Sequence, residues 1–323
     1  MTHHRSPTRS PRSATTLALA LVAALCLSGE LSGAPETGAT HLNPLIEKLA
    51  QGKAVFGVTT RDFSVENAHA MARADIDYVR VEMEHSPLDF DALRNFLLGM
   101  LDRAAILKQG NPKQKVAPIV RLPPYGREQV HWVVKQALDQ GMMGMIFNGI
   151  DNREQALSAV RSMRYPQPRG SQRMEPAGLR GFSPSNAVWF WGIPTGEYVR
   201  HADLWPLNPD GDLLAIMLIE STEGLKNVDE IAAVPGVGGL YAGTGDLSMS
   251  MGVPGNSPEV EAAVQTILKA CLAHNVPCKI NTSVRDVEKR IKEGWRILNV
   301  GDADGGITAP IDAALRAGRP VAK

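Results

Sequence analysis

Three shortages narrow what this chain can be. It has 3 cysteines in 323 residues, too few for a disulfide scaffold and not at the spacing of a zinc site. Lysine plus arginine and aspartate plus glutamate each number 34, so no excess charge points to nucleic acid or an anionic membrane, and the expected ligand is a small molecule. Internal repeats are also lacking, which excludes a solenoid or propeller. The apolar run from Ala14 to Leu27 falls short of the ~20 residues that a helical membrane span needs.

That run has a different meaning. His3, His4, Arg5, Arg9 and Arg12 precede it and small residues around Ser32 to Ala34 follow it, the pattern of a secretory signal peptide over residues 1–34. Cleavage is expected after Ala34 or Ala39, giving an exported protein, periplasmic or secreted, with no membrane attachment in its mature form. Cys26 belongs to the leader. Cys271 and Cys278, seven positions apart, are expected as buried free thiols, although an oxidising compartment permits a disulfide.

Hydrophobic residues make up 44% of the chain, enough for one substantial core. From residue 42 to 318, short β-branched or apolar runs alternate with amphipathic stretches, the rhythm of parallel strands joined by helices. Eight strands are expected, near Ala54–Val58, Tyr78–Glu82, Ala117–Arg121, Gly144–Phe147, Leu214–Glu220, Gly239–Ala242, Pro277–Ile280 and Ile297–Val300. Eight α/β units predict closure into a (β/α)8 TIM barrel. Asn152 suits the cap of a helix from Arg153, and Gly141 and Gly294 suit the turns after theirs. A long excursion over residues 165–211, rich in proline, glycine, tryptophan and arginine, reads as a lid, substrate loop or oligomer contact.

Polar residues collect at the carboxyl ends of the expected strands, which form the catalytic face of such a barrel. Glu220 follows the apolar run Leu213 to Ile219, where an unpaired charge is costly unless a cation answers it. Asp246 offers a second carboxylate from the next strand, and two carboxylates suit Mg²⁺ or Mn²⁺, with Co²⁺ as a further option. Alternatively, Glu220 is a salt-bridged strand end and Asp246 caps a turn. Gly243, Thr244 and Gly245 form a small-residue turn that is a candidate substrate-binding segment. Arg121 can clamp a carboxylate or stabilise an enolate oxygen, or simply pair with a neighbouring acid. His85 is the histidine that directly follows an expected strand, which makes it the candidate acid/base. Glu82, Glu84 and Asn148 complete a candidate pocket.

At these residues the sequence resembles the class II pyruvate aldolases of the 4-hydroxy-2-oxoheptanedioate aldolase family, within the larger citrate-lyase β-subunit superfamily. The likeness rests on Val81-Glu82-Met83-Glu84-His85-Ser86-Pro87, Val120-Arg121-Leu122-Pro123, Leu218-Ile219-Glu220-Ser221 and Tyr241-Ala242-Gly243-Thr244-Gly245-Asp246-Leu247-Ser248. It implies that Glu220 and Asp246 ligate a divalent metal, Arg121 stabilises a pyruvate enolate and His85 is the acid/base. It also implies that Asp139 orients the histidine across a subunit contact, in a homo-oligomer. The implied reaction is metal-dependent cleavage or formation of a 4-hydroxy-2-oxo acid, with an aldehyde as the other partner.

Departures from the family pattern bear on the substrate. Glu82 stands for a usual aspartate, Met83 for a small residue, Leu218 for a glutamine, Thr244-Gly245 for proline-alanine and Asn148 for a proline. Residues 171–178 are inserted. Rival readings are a lyase or decarboxylase acting on malyl-type thioesters or oxaloacetate, a silent exported 2-oxo-acid-binding protein, and an imine mechanism through Lys279.

Overall fold

The structure is a computed structural model that describes residues 41–322; the expected leader lies outside the described residues. Nine strands run in chain order: β1 (Val55–Thr60), β2 (Tyr78–Glu82), β3 (Ala117–Arg121), β4 (Gly144–Phe147), β5 (Leu204–Trp205), β6 (Leu213–Ile219), β7 (Gly239–Ala242), β8 (Cys278–Asn281) and β9 (Ile297–Asp302). Every pairing is parallel. The order β4-β3-β2-β1-β9-β8-β7-β6 closes on itself because β6 also pairs with β4. The result is the expected eight-stranded α/β barrel. The ninth strand is the two-residue β5, which pairs along β6 and belongs to the excursion.

Residue choice explains the closure. β6, Leu-Leu-Ala-Ile-Met-Leu-Ile, is buried along its whole length, as strands covered on both faces require. β2 is equally buried although it reads Tyr-Val-Arg-Val-Glu, so its charged residues are not on a wet face. The helices wrap the outside with ordinary punctuation. The Asn152 side chain accepts from Gln155 N at the start of helix Arg153–Met163, and Gly141 and Gly294 take φ values of 116° and 118°, left-handed turns that a side chain would strain.

The base of the barrel is tied by one carboxylate. Asp212 is fully buried just before β6 and accepts from His41 Nδ1 at 3.1 Å, His201 Nδ1 at 2.8 Å and the backbone N–H of Leu42 and Asn43. Asn43 in turn caps helix Pro44–Ala50. The excursion carries its own helices, Ser185–Trp191 and Thr195–His201. It is pinned by the buried pair Arg164–Asp203, with Nε–Oδ1 2.7 Å and Nη2–Oδ2 3.1 Å. No helix among the described residues is long and apolar enough to cross a membrane.

The expectation of free thiols is corrected. Cys271, in the last turn of helix Pro258–His274, is disulfide-bonded to Cys278 at the head of β8, with Cα atoms 5.8 Å apart. The left-handed Asn275 (φ 54°) reverses the chain directly after the helix, which returns the strand start to the preceding turn within bridging distance.

Candidate active site

Glu82 organises the mouth of the barrel. It is fully buried at the end of β2, and its Oε1 accepts the backbone N–H of Glu84 at 3.0 Å and of His85 at 3.3 Å. Its Oε2 meets Arg121 Nε and Nη2, both at 2.7 Å. One carboxylate therefore shapes the turn that carries Glu84 and His85 and fixes the guanidinium across from it. Burial pushes the Glu82 carboxyl up, but the hydrogen bond and charge of Arg121, helped by Arg80, hold it below the usual range.

Glu84 reaches the other edge of the same guanidinium, Oε2 to Arg121 Nη1 at 2.7 Å, and the same oxygen lies 3.3 Å from His85 Nε2. The His85 side chain is 60% exposed and open to the mouth. Glu220, just beyond β6, accepts from Gly149 N at 2.6 Å. Its carboxyl is pushed up to about 7, by burial first and then by the carboxylates of Glu84 and Asp246, against relief from the Gly149 N–H and Arg121. Burial also raises Glu84, with Glu82 and Asp246 adding to it against Arg121 and His85.

Asp246 is exposed in the first turn of helix Thr244–Met251, directly after β7. Gly243 between them is needed small: a Cβ there would lie 2.8 Å from Glu220 Cβ and 2.8 Å from Leu218 Cδ1. Thr244 is half-buried and Gly245 exposed beside it. Asn148 is fully buried and acts as a clasp, its side-chain Nδ2 donating to Leu122 O at 2.6 Å while its backbone carbonyl accepts from Gly126 N at 3.0 Å.

Three acidic groups thus press on one another beside a guanidinium that is already bound to two of the site's carboxylates. That is an excess of negative charge which a divalent cation relieves. Among the described residues no three His, Cys, Asp or Glu side chains are arranged to hold a metal. The oxygen donors that would hold one are Glu220 and Asp246, whose carboxylates suit a hard divalent cation. Asp139 stands apart from this group. On helix His131–Gln140 it pairs with Arg180 at 3.1 Å and Lys135 at 3.3 Å, and no bond to His85 forms within the chain. Gly149, whose N–H holds Glu220, was not among the expected site residues; a lone glycine after a strand carries no signal of its own.

The HpcH/HpaI aldolase/citrate lyase family model matches residues 62–309. A hydroxypyruvate/pyruvate aldolase of Paraburkholderia phytofirmans is 32% identical over 233 residues, 72% of this chain and 80% of that protein. A 5-keto-4-deoxy-D-glucarate aldolase of Salmonella paratyphi A is 30% identical over 239 residues, 73% of this chain and 81% of that one. Among solved structures, an HpcH/HpaI aldolase/citrate lyase family protein from Burkholderia cenocepacia aligns with a TM-score of 0.66 and 28% identity, over 86% of this chain and 97% of its own.

Proposed function

Since the chain belongs to the HpcH/HpaI aldolase/citrate lyase family and is a lyase, we propose that it cleaves, or in reverse forms, a 4-hydroxy-2-oxo acid by way of a pyruvate enolate. The observation that carries this reading is the Glu220 carboxyl, pushed up to about 7 by burial, Glu84 and Asp246 beside Arg121. A perturbed carboxylate cluster at the carboxyl face of a barrel is what enolate chemistry needs. Held by Glu220 and Asp246, Mg²⁺ or Mn²⁺ (Co²⁺ as a further option) would supply Lewis-acid polarisation of the 2-oxo group.

The chain's own residues account for the rest. Glu82 fixes Arg121 along one edge and leaves Nη1 to the mouth, where Glu84 occupies it. A substrate oxygen competes with Glu84 for that donor, and negative charge on the oxygen strengthens the contact as the enolate forms. His85 removes the 4-hydroxyl proton. The C3–C4 bond then breaks, its electron pair passes into the enolate, and the aldehyde leaves; protonation at C3 gives pyruvate. Asp139 enters only if a second subunit brings it to His85, and the exposed Trp132, Phe182 and Trp189 support a homo-oligomer. Export also belongs to the proposal, supported by the leader sequence and by the Cys271–Cys278 disulfide.

The test is pyruvate release by metal-depleted and metal-reconstituted protein across a panel of 4-hydroxy-2-oxo acids. Metal-stimulated release from at least one member is expected. Equal, metal-independent rates or no release from any member would overturn the reading.

A further inference from the structure

Below the Glu82–Arg121 pair the barrel interior is polar, where barrels are ordinarily filled by branched aliphatic side chains. Arg80 on β2, Tyr241 on β7 and Lys279 on β8 are 5%, 4% and 0% exposed. The aromatic ring of Tyr241 lies between strands as a shared platform. Lys279 Nζ is 3.7 Å from its centroid and the guanidinium carbon of Arg80 is 5.8 Å from the same point. Arg80 Nη1 donates to the Tyr241 hydroxyl at 3.1 Å, and that hydroxyl donates to Asn281 Oδ1 at 2.9 Å. Two positions before Arg80, the fully buried Tyr78 fills space left by Gly57, where a Cβ would lie 2.5 Å from the ring.

Three donors of this layer have no acceptor among the described residues: Tyr78 Oη, Arg80 Nε and Lys279 Nζ. Buried polar groups without partners are rare, and each calls for an occupant. The charges are unequal as well. Arg80 and Arg121 share Glu82, Arg121 also meets Glu84, and among the described residues a protonated Lys279 has no carboxylate of its own. Burial, then Arg80 and Arg121, drive the Lys279 amine well below its usual range, with only Glu82 opposing them. Tyr78 and Tyr241 are the other titratable groups packed here, and burial raises the Tyr78 phenol so that it stays a donor.

We propose that this layer is a binding site for one small inorganic monoanion of the halide class, held by Lys279 Nζ, Arg80 Nε and Tyr78 Oη. The orphaned atoms can all donate, and one negative charge balances a protonated Lys279. Water would satisfy part of the hydrogen bonding and none of the charge. The Glu82–Arg121 pair lies between this layer and the mouth, which keeps a substrate carboxylate out of it. Entry of the anion favours the protonated form of Lys279, so binding tightens as pH falls. The site stands independently of which substrate the mouth accepts.

Crystals of the full protein grown in sodium bromide near pH 6 test this directly. An anomalous bromide peak within hydrogen-bond distance of Lys279 Nζ is expected; a water at that position would overturn the proposal. In solution, bromide at about tenfold its Kd should raise the thermal midpoint by roughly 3 °C relative to sodium gluconate at equal ionic strength. The rise should shrink at pH 9 and vanish in Lys279→Met. Equal responses of wild type and Lys279→Met would also overturn it. If that variant does not fold, the wild-type crystal decides alone.

Discussion

Arg121 and Glu82 are joined at two points on one oxygen, Nε and Nη2 each 2.7 Å from Glu82 Oε2, while the other oxygen of Glu82 folds the turn bearing Glu84 and His85. Glu82→Gln keeps the shape and removes the charge that Arg121 and Arg80 share. Losing one partner of a buried pair costs about 3 kcal/mol, to be read from urea unfolding, and kcat should fall together with stability. The lowered Glu82 carboxyl stabilises the fold above its unfolded pKa, and that contribution is lost as pH falls through its folded value. The variant should therefore show a flatter acid limb; an unchanged one would detach Glu82 from Arg121.

Glu220 has the opposite sign. Its folded carboxyl is raised to about 7, so the folded protein binds a proton that the unfolded chain has released, and metal-free stability declines as pH rises from the ordinary carboxylate range to 7. Glu220→Gln should stabilise the metal-free protein at pH 8 by about 1 kcal/mol, discounted because the group is partly open to water. Turnover should drop at least about a hundredfold. Wild-type affinity for Mn²⁺ should climb as Glu220 ionises through pH 7. Calorimetric titration between pH 6 and 8 gives the answer, and a flat affinity would remove Glu220 from the metal.

His85 carries exposure rather than packing, with 60% of its side chain in solvent. Replacing it by alanine should leave the unfolding free energy within about 0.5 kcal/mol of wild type. Cleavage should slow by about a hundredfold or more. Retained turnover would exclude it as the acid/base.

The barrel was readable because its strands are buried on both faces and therefore apolar in runs, as in Leu213 to Ile219. β5 was not, since two residues inside a proline- and glycine-rich segment carry no periodicity. The mouth was half legible. Arg121 ends β3, while Glu84, Glu220 and Asp246 follow the ends of β2, β6 and β7 within a few residues, and proximity to the catalytic face follows from the fold. What Arg121 binds did not follow: register sets Glu82 opposite it, and register is a tertiary fact. The polar floor was hidden more deeply. In Tyr78-Val79-Arg80-Val81-Glu82 the alternation suggests a polar face toward water, yet every residue is buried, because in a closed barrel the second face is the interior.

The disulfide yields a prediction of its own. Cys271 and Cys278 close a short loop between a helix and β8, and a loop of that length implies about 2 kcal/mol of stabilisation in the chain-entropy account. Dithiothreitol should lower the urea midpoint accordingly. Thiol titration of unreduced, unfolded protein should find neither cysteine free; two reactive thiols would refute the pairing.

Gly243 separates a packing role from a conformational one. Its φ of −84° is open to any residue, so the effect of a side chain there is steric: a new Cβ meets Glu220 Cβ and Leu218 Cδ1, each at 2.8 Å. Gly243→Ala must push Glu220 off its bond to Gly149 N or shift the start of helix Thr244–Met251. Overpacking of this kind costs about 1–3 kcal/mol, and displacing a reacting group by about 1 Å costs on the order of a hundredfold in rate. Two positions on, a Cβ added at Gly245 would meet nothing within 4 Å, and Gly245→Ala should gain about 0.5–1 kcal/mol of helix propensity with turnover within a fewfold of wild type. Paired kinetics and unfolding curves compare them. Equal activity in both variants would mean that Glu220 does not need its place beside Gly243, and the carboxylate cluster would lose its role in turnover.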